Sequence, residues 1–149
     1  LKVNGVWLYL SVILDLYSRK VVGWSLGRSR TKELTLASLD MAIQGRDFEA
    51  GLIFHSDKGS EYGAHDFQKK LRSVGIRPSM NRAKTMTDNI HVESFFRTYK
   101  TECFYGETFR DEKELYEMTQ WYLEEYYNGK RKHTSLGFKS PAQYERMAA

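Results

Sequence analysis

The chain has 149 residues, enough for one domain, and 41% hydrophobic with 14% aromatic residues is enough to bury a real core. Its 23 Lys and Arg against 19 Asp and Glu leave a net charge of +4, a mild basic bias that favours a polyanionic partner without demanding one. The lone cysteine, Cys103, excludes an internal disulfide and a cysteine-rich zinc site, and no stretch has the length of a membrane helix or the form of a signal peptide.

Leu1 to Val3 reads as the stub of a strand, turned back by Asn4-Gly5 as a tight hairpin. Val6 to Asp15 is rich in branched and aromatic residues and reads as a buried strand. After the polar turn Leu16 to Lys20, Val21 to Gly27 completes a three-stranded antiparallel meander. Thr31 caps a helix through Gln44, with Leu34, Ala37, Ser38 and Met41 on its inner face. Gly51 to Ser56 is a nearly continuous apolar run, the pattern of a strand buried on both faces. A helix from about His65 to Val74, stopped by Gly75, leads to a short strand at Ile76 to Ser79. A connection of that length implies parallel pairing with a right-handed crossover.

Met80 to Thr87 has no periodicity and reads as a mobile loop. From Asp88 to about Cys103 the chain is helical, with Val92, Phe95, Phe96, Tyr99 and Cys103 on one stripe. Asp111, three residues before Glu114, opens another helix to about Tyr127 through an acidic form of the capping box. The rest begins as a basic turn and closes with a short helix after Pro141. We expect a core over residues 1–127 and a basic C-terminal tail, residues 128–149, packed on it or extending from it. Trp7, Trp24 and Trp121 are expected in core and inter-helix packing rather than as base-stacking platforms.

Two acids stand in settings that suit chemistry. Asp57 follows the apolar run at the point where open α/β sheets present functional groups, beyond the carboxyl end of a strand, and Gly59 lets the chain turn away there. Glu93 lies about 100° from the centre of the helical stripe, at the border of core and solvent. Asn89 precedes it on the same face, and Arg97 and Lys100 follow, so an amide, an acid and two cations fall in a row. A turn aspartate and a solvated Glu93–Arg97 pair are the plain alternatives. His55 and His91 stand two residues before the two acids and raise a rival reading, a His/carboxylate zinc hydrolase. On a helix, however, His91 and Glu93 diverge by about 200°, which keeps the four from one ion. His55 is better placed behind the site, orienting Asp57.

With thirty-five residues between the acids, "HSDKGSEY", "TDNIHVESFFRTYK" and "YYNGKRKHTSLGFKSPAQY" resemble the blocks of bacterial insertion-sequence transposases of the DDE type, whose catalytic core is similar to retroviral integrase. "GVWLYLSVILDLYSRKVVGWSL" is similar to the strand pair of that core, so the resemblance spans essentially the whole chain. It implies an RNase H-like α/β fold: a mixed five-stranded sheet, three strands antiparallel and the others parallel, with helices on both faces and the first strand truncated. It implies metal-dependent cleavage and transfer of DNA strands, with Asp57 and Glu93 as the second and third metal-binding acids and Asn89 beside them. Two Mg²⁺ or Mn²⁺ ions about 3.5 to 4 Å apart would serve a complete site.

The family's first acid lies in a stretch resembling Asp-Ile-Thr-Tyr just before the residues that match Leu1 to Val3. With two of three carboxylates, weak or absent metal binding is expected. The alternative function is therefore an inactive remnant that binds DNA through its basic surface. Asp15 is implied to be a structural acid of its turn. Lys58, Arg82, Lys84, Arg97, Lys100 and the run Lys130, Arg131, Lys132, His133 are the expected DNA contacts. The resemblance further implies homo-oligomers that pair two DNA ends, and a bacterial, nucleoid-associated location in the cytoplasm.

Overall fold

The computed structural model describes residues 1–80 and 89–149, so Arg82 and Lys84 lie outside the described residues. Asn4 and Gly5 take positive φ values of 48° and 83°, which suits a tight hairpin, and fold β1 (Lys2–Val3) against β2 (Val6–Trp7). The expected single strand from Val6 to Asp15 is interrupted at Leu8, which is buried with Val3, Phe109 and Leu115. β3 (Tyr9–Leu14) then pairs antiparallel with β4 (Val21–Gly27). Asp15 has the structural part expected of it. Its Oδ1 accepts from the backbone N–H groups of Tyr17 and Ser18 at 2.8 and 3.1 Å, and its Oδ2 accepts from Arg46 at 2.9 Å.

α1 (Lys32–Gly45) buries Thr35, Ser38 and Leu39, whereas Ala37 and Met41 are exposed. Ser38 is inward as expected, but the rest of the face is rotated toward Thr35 and Leu39, where β4 approaches the helix backbone closely at Gly23, against the Ser38 carbonyl oxygen and Ala42. The Ser38 hydroxyl also hydrogen-bonds that of Ser11 on β3, at 2.8 Å.

β5 (Ile53–Ser56) is followed by a one-turn helix, α2 (Ser60–Gly63), then α3 (His65–Ser73) and β6 (Arg77–Met80). β5 and β6 pair in parallel as the long connection requires, from Ile53 beside Arg77 to Ser56 beside Met80. β5 is not buried on both faces: Leu52 and Ile53 are exposed, and only the side bearing Phe54 packs onto Leu39, Phe67, Leu71 and Ile76. Among the described residues the strands form three two-stranded ladders, β1–β2, β3–β4 and β5–β6. The second edges of β3 and β5 carry no strand there, which accounts for the exposure of Ile53.

α4 (Ile90–Tyr99) and α5 (Glu112–Gln120) each run on into a π-helical segment, Lys100–Phe104 and Trp121–Tyr127. Asp111 caps α5 by accepting from the Glu114 N–H at 2.9 Å, while the Glu114 carboxylate turns to the Arg110 N–H at 2.6 Å, so only half of the expected box forms. The helical pair packs against β4 through Val21, Trp24, Phe95, Tyr99, Cys103, Tyr122, Leu123 and Tyr127. Val92 and Phe96 are only partly buried, so the stripe turns toward Phe95, Tyr99 and Cys103. Burial raises the Tyr99 and Tyr122 hydroxyls far above the usual phenol range and pushes the Cys103 thiol up to about 11, so Cys103 is a protonated core residue. Of the tryptophans only Trp24 is in the core; Trp7 lies exposed beneath the Lys2 ammonium, and Trp121 stacks on Tyr126 at the surface.

The C-terminal stretch is docked. Asn128 clasps Val21, and α6 (Pro141–Ala148) starts from a complete capping box between Ser140 and Gln143. Glu145 of α6 accepts from Ser18, Lys20 and Arg46 at 2.8, 3.3 and 2.8 Å, tying the helix to the β3–β4 turn.

Candidate nucleic-acid and metal site

β5 is a short rigid strand that ends at Ser56, and Asp57 is exposed immediately beyond it. The Asp57 Oδ1 accepts from the Gly59 N–H at 2.7 Å, an Asx-type turn that fixes the carboxylate. Gly59 has φ −58° and ψ 141°, values open to any residue, so the expectation that glycine serves here by its backbone freedom does not hold. Space is the reason. A Cβ at Gly59 would lie 2.9 Å from Asp57 Oδ1 and 2.9 Å from the Glu61 carboxylate, so the two acids close around it.

Glu61 is buried and accepts from Arg30 Nε at 2.7 Å. Burial works to raise its pKa, but a backbone hydrogen bond and Arg30 together hold it below the usual carboxylate range. Arg30 also feels the field of Asp57. The Arg30–Glu61 pair beside Asp57 escaped the sequence reading. Glu61 lies in the same block as Asp57 and was open to notice, but nothing local marks Arg30, thirty-one residues upstream of it.

His55 is partly buried, and its Nδ1 lies 3.0 Å from the Ser79 hydroxyl across the β5–β6 ladder. It thus braces the strand that carries Asp57 from behind. Lys58 is exposed. On α4, Glu93 lines one groove with Arg97 and Lys100, the row expected from helical spacing, and Phe96 and Tyr105 form its apolar part. No ion pair joins Glu93 to Arg97 among the described residues, which leaves both available to a ligand. Asn89 stands at the N-cap of α4 and its backbone carbonyl accepts from the Glu93 N–H at 3.0 Å.

The basic run divides. Lys130 and Lys132 are exposed, but Arg131 makes a bidentate pair with Glu102, Nε to Oε2 at 2.8 Å and a terminal nitrogen to Oε1 at 2.8 Å. Tyr122 donates to the same carboxylate at 2.7 Å. Arg131 and Tyr122 hold Glu102 below its ordinary range despite partial burial. His133 turns inward and sets its ring edge-on to Tyr127, with centroids 5.0 Å apart. Burial first, then Arg131 and to a smaller extent Arg19, bring its pKa down to about 4 against the opposing charge of Glu102.

A histidine depressed in the folded state binds fewer protons there than when unfolded, where its value is near 6.5. Its contribution to stability is therefore complete above about 6.5 and is lost as pH falls through about 4. Allowing for partial solvent screening, it amounts to about 1–2 kcal/mol. Urea unfolding of His133→Phe between those pH values should show a shallower loss of stability than the parent chain. An unchanged pH profile would show that His133 titrates normally.

Asp57 and Glu93 offer the hard oxygen donors that Mg²⁺ prefers. Among the described residues, however, no group of three or more His, Cys, Asp or Glu side chains could hold a metal. The residues present suit the ion in donor chemistry but fall short of a complete site. His55 and His91 do not join the acids in such a group, so the zinc-hydrolase alternative has no centre among the described residues.

Integrase core domain profiles match residues 1–85 and 74–141. The chain is 38% identical over 145 residues to the transposase InsF of insertion sequence IS3A from Escherichia coli K12, covering 97% of this chain and 50% of that protein. It is 40% identical over 147 residues to a 31 kDa protein of insertion element IS600 from Shigella sonnei, covering 96% and 54%. The chain thus spans about half the length of the curated relatives it matches. Its backbone is similar to a chain of the simian T-cell lymphotropic virus intasome in complex with PP2A regulatory subunit B56γ, with TM-score 0.77 and 21% identity over 97% of this chain and 50% of that one. It is also similar to the magnesium-bound, trimeric HTLV-2 integrase catalytic core, with TM-score 0.60 and 20% identity over 97% and 88%. The mixed α/β architecture, with helices against antiparallel and parallel strand pairs, is accordingly the RNase H-like fold of retroviral integrase cores, and the chain belongs to the integrase core domain family.

Proposed function

We propose that this chain is the catalytic core of a DNA transposase, cutting and rejoining DNA strands with Asp57 and Glu93 as divalent-metal ligands. The observation that carries the reading is the Asp57 carboxylate, exposed beyond the end of a parallel strand and pinned by the Gly59 N–H in a chain of the integrase core family. When bound, Mg²⁺ or Mn²⁺ supplies charge neutralisation at the phosphoryl oxygens and activates an attacking oxygen. The chain's own residues have simpler tasks. The Gly59 N–H holds Asp57, Arg30 adds its field, His55 braces the strand, and Arg97 and Lys100 present positive charge beside Glu93 for the DNA backbone. Exposed Lys58, Lys130 and Lys132 are proposed as further DNA contacts. Arg82 and Lys84 are proposed as further DNA contacts on their place in the sequence alone. DNA is the partner, the active form is a homo-oligomer that pairs two ends, and the setting is the bacterial cytoplasm at the nucleoid. No described helix is long and apolar enough to cross a membrane.

The test is nicking and joining of terminal-repeat DNA with Mg²⁺ or Mn²⁺, in the chain joined to the Asp-bearing stretch that the resemblance places before Leu1. D57N and E93Q should each lose activity more than about a hundredfold, since a metal ligand supports several kcal/mol of transition-state charge. Full activity in either variant overturns the assignment. The second reading is a remnant that binds DNA through its basic surface without cutting. Calorimetric titration of Mn²⁺ into the chain itself separates the two, because clear two-site binding excludes an inert remnant.

A further inference from the structure

α4 has two chemically distinct sides. Glu93, Arg97 and Lys100 occupy one; His91, Ser94 and Thr98 occupy the other and wall a separate cleft of about 300 Å³. Leu14, Phe95 and Tyr127 form its apolar part, and its other polar walls come from Arg19 in the β3–β4 turn and from the segment that follows Tyr127, through Arg131, Lys132 and His133. The lining is basic and hydroxylated, with Thr134 and Ser135 adding to Ser94 and Thr98, and no carboxylate takes part among the described residues. Glu102, whose charge reaches His133, is committed to Arg131 and Tyr122.

Arg19 and Lys132 have no ion-pair partner among the described residues. The charge of Arg19 is felt by the rings of His91, Tyr127 and His133, which places it among them. The Nε2 of His133 is buried and has no hydrogen-bond partner among the described residues. An orphaned polar atom of that kind is costly in the free protein and marks where a partner should arrive. Sites for small organic ligands are mostly apolar with few polar groups. Here the proportion is reversed, which suits a small, fully polar anion.

We propose that this cleft seats one backbone phosphate of a bound DNA strand on the side of α4 away from Glu93, with Arg19 and Lys132 neutralising it and His133 hydrogen-bonding one oxygen. The proposal rests on the DNA reading above and adds Arg19, which no sequence motif singled out. Its role is to set the register of the strand, as phosphate contacts do, and it takes no part in the chemistry.

Two measurements decide it. DNA affinity is followed by fluorescence anisotropy in EDTA from about 50 to about 200 mM salt. Arg19→Asn should reduce the slope of log K against log salt by about 0.9, the release expected for one phosphate. Asn tolerates the positive φ of 62° at position 19, so the turn survives the change. An unchanged slope with metal-dependent cleavage intact overturns the phosphate seat alone, whereas undiminished cleavage in D57N overturns the metal-ligand reading alone. In the second measurement, the His133 ring ¹⁵N resonances are followed while a single-stranded oligonucleotide or inorganic phosphate is added. A saturable shift with the oligonucleotide, lost in Arg19→Asn, supports the seat. A shift with inorganic phosphate but none with DNA overturns DNA as the source of the anion.

Discussion

Gly23→Ala should cost the protein about 3 kcal/mol or more, read as a lower urea midpoint at unchanged slope. Gly23 is buried in the middle of β4, where α1 crosses it. A Cβ there would fall inside the van der Waals envelope of the Ser38 carbonyl oxygen and 3.0 Å from the Ala42 Cβ and amide nitrogen. Those obstacles are mostly helix backbone, which no rotamer change can move, so α1 must lift from the sheet as a body. Lifting it would break the Ser11–Ser38 hydrogen bond and loosen Leu39 from Phe67 and Leu71. Gly45→Ala provides the control. It lies at the end of the same helix with nothing within 4 Å of its Cβ position, and should be neutral or stabilising by about 0.5–1 kcal/mol. Equal stability of the two variants would show that α1 does not approach β4 this closely.

Asn128→Leu should destabilise by about 2–4 kcal/mol and expose the C-terminal stretch to protease. The Asn128 amide accepts from the Val21 N–H and donates to the Val21 C=O, both at 2.9 Å, as a neighbouring strand would. Both residues are buried, so leucine fills the volume but leaves a donor and an acceptor of β4 without partners or water. The Asn128 carbonyl meanwhile accepts from the Ala142 N–H at 2.9 Å, so the same residue fastens α6. A variant as stable as the parent, with its tail equally protected, would mean that this clasp contributes nothing to docking residues 128–149. The clasp is also why those residues lie against the core, a choice the basic composition of the turn left open.

Much of the framework was legible locally. Asn4-Gly5, Gly75, the Asp111 cap and the Ser140-Pro141 start announce their turns and helix ends because turn and cap chemistry acts within a few residues. The parallel pairing of β5 and β6 followed from the length of their connection, and the shared groove of Glu93, Arg97 and Lys100 followed from helical spacing. The face of α1 was legible in part: Ser38 was placed inward, but hydrophobicity also favoured Ala37 and Met41, whereas the close approach of the helix backbone to Gly23 turned Thr35 and Leu39 inward. The exposure of Ile53 was missed for a related reason. An apolar run reports the wish to be buried, and whether a second strand covers it depends on partners elsewhere in the chain.

The sequence by itself determined the order of strands and helices, the two acids beyond β5 and on α4, and the family to which they belong, because each rests on periodicity, turn chemistry or motif spacing. The tertiary structure alone decided which charges are available. It spends Arg131 on Glu102, sets Arg30 and Glu61 beside Asp57, and gathers Arg19, Lys132 and His133 into one cleft. The physical reason is range. Backbone propensities and caps are settled within a turn or two, whereas electrostatic partnership is settled by distance in space, which for Arg30 and Glu61 joins residues thirty-one apart in the chain.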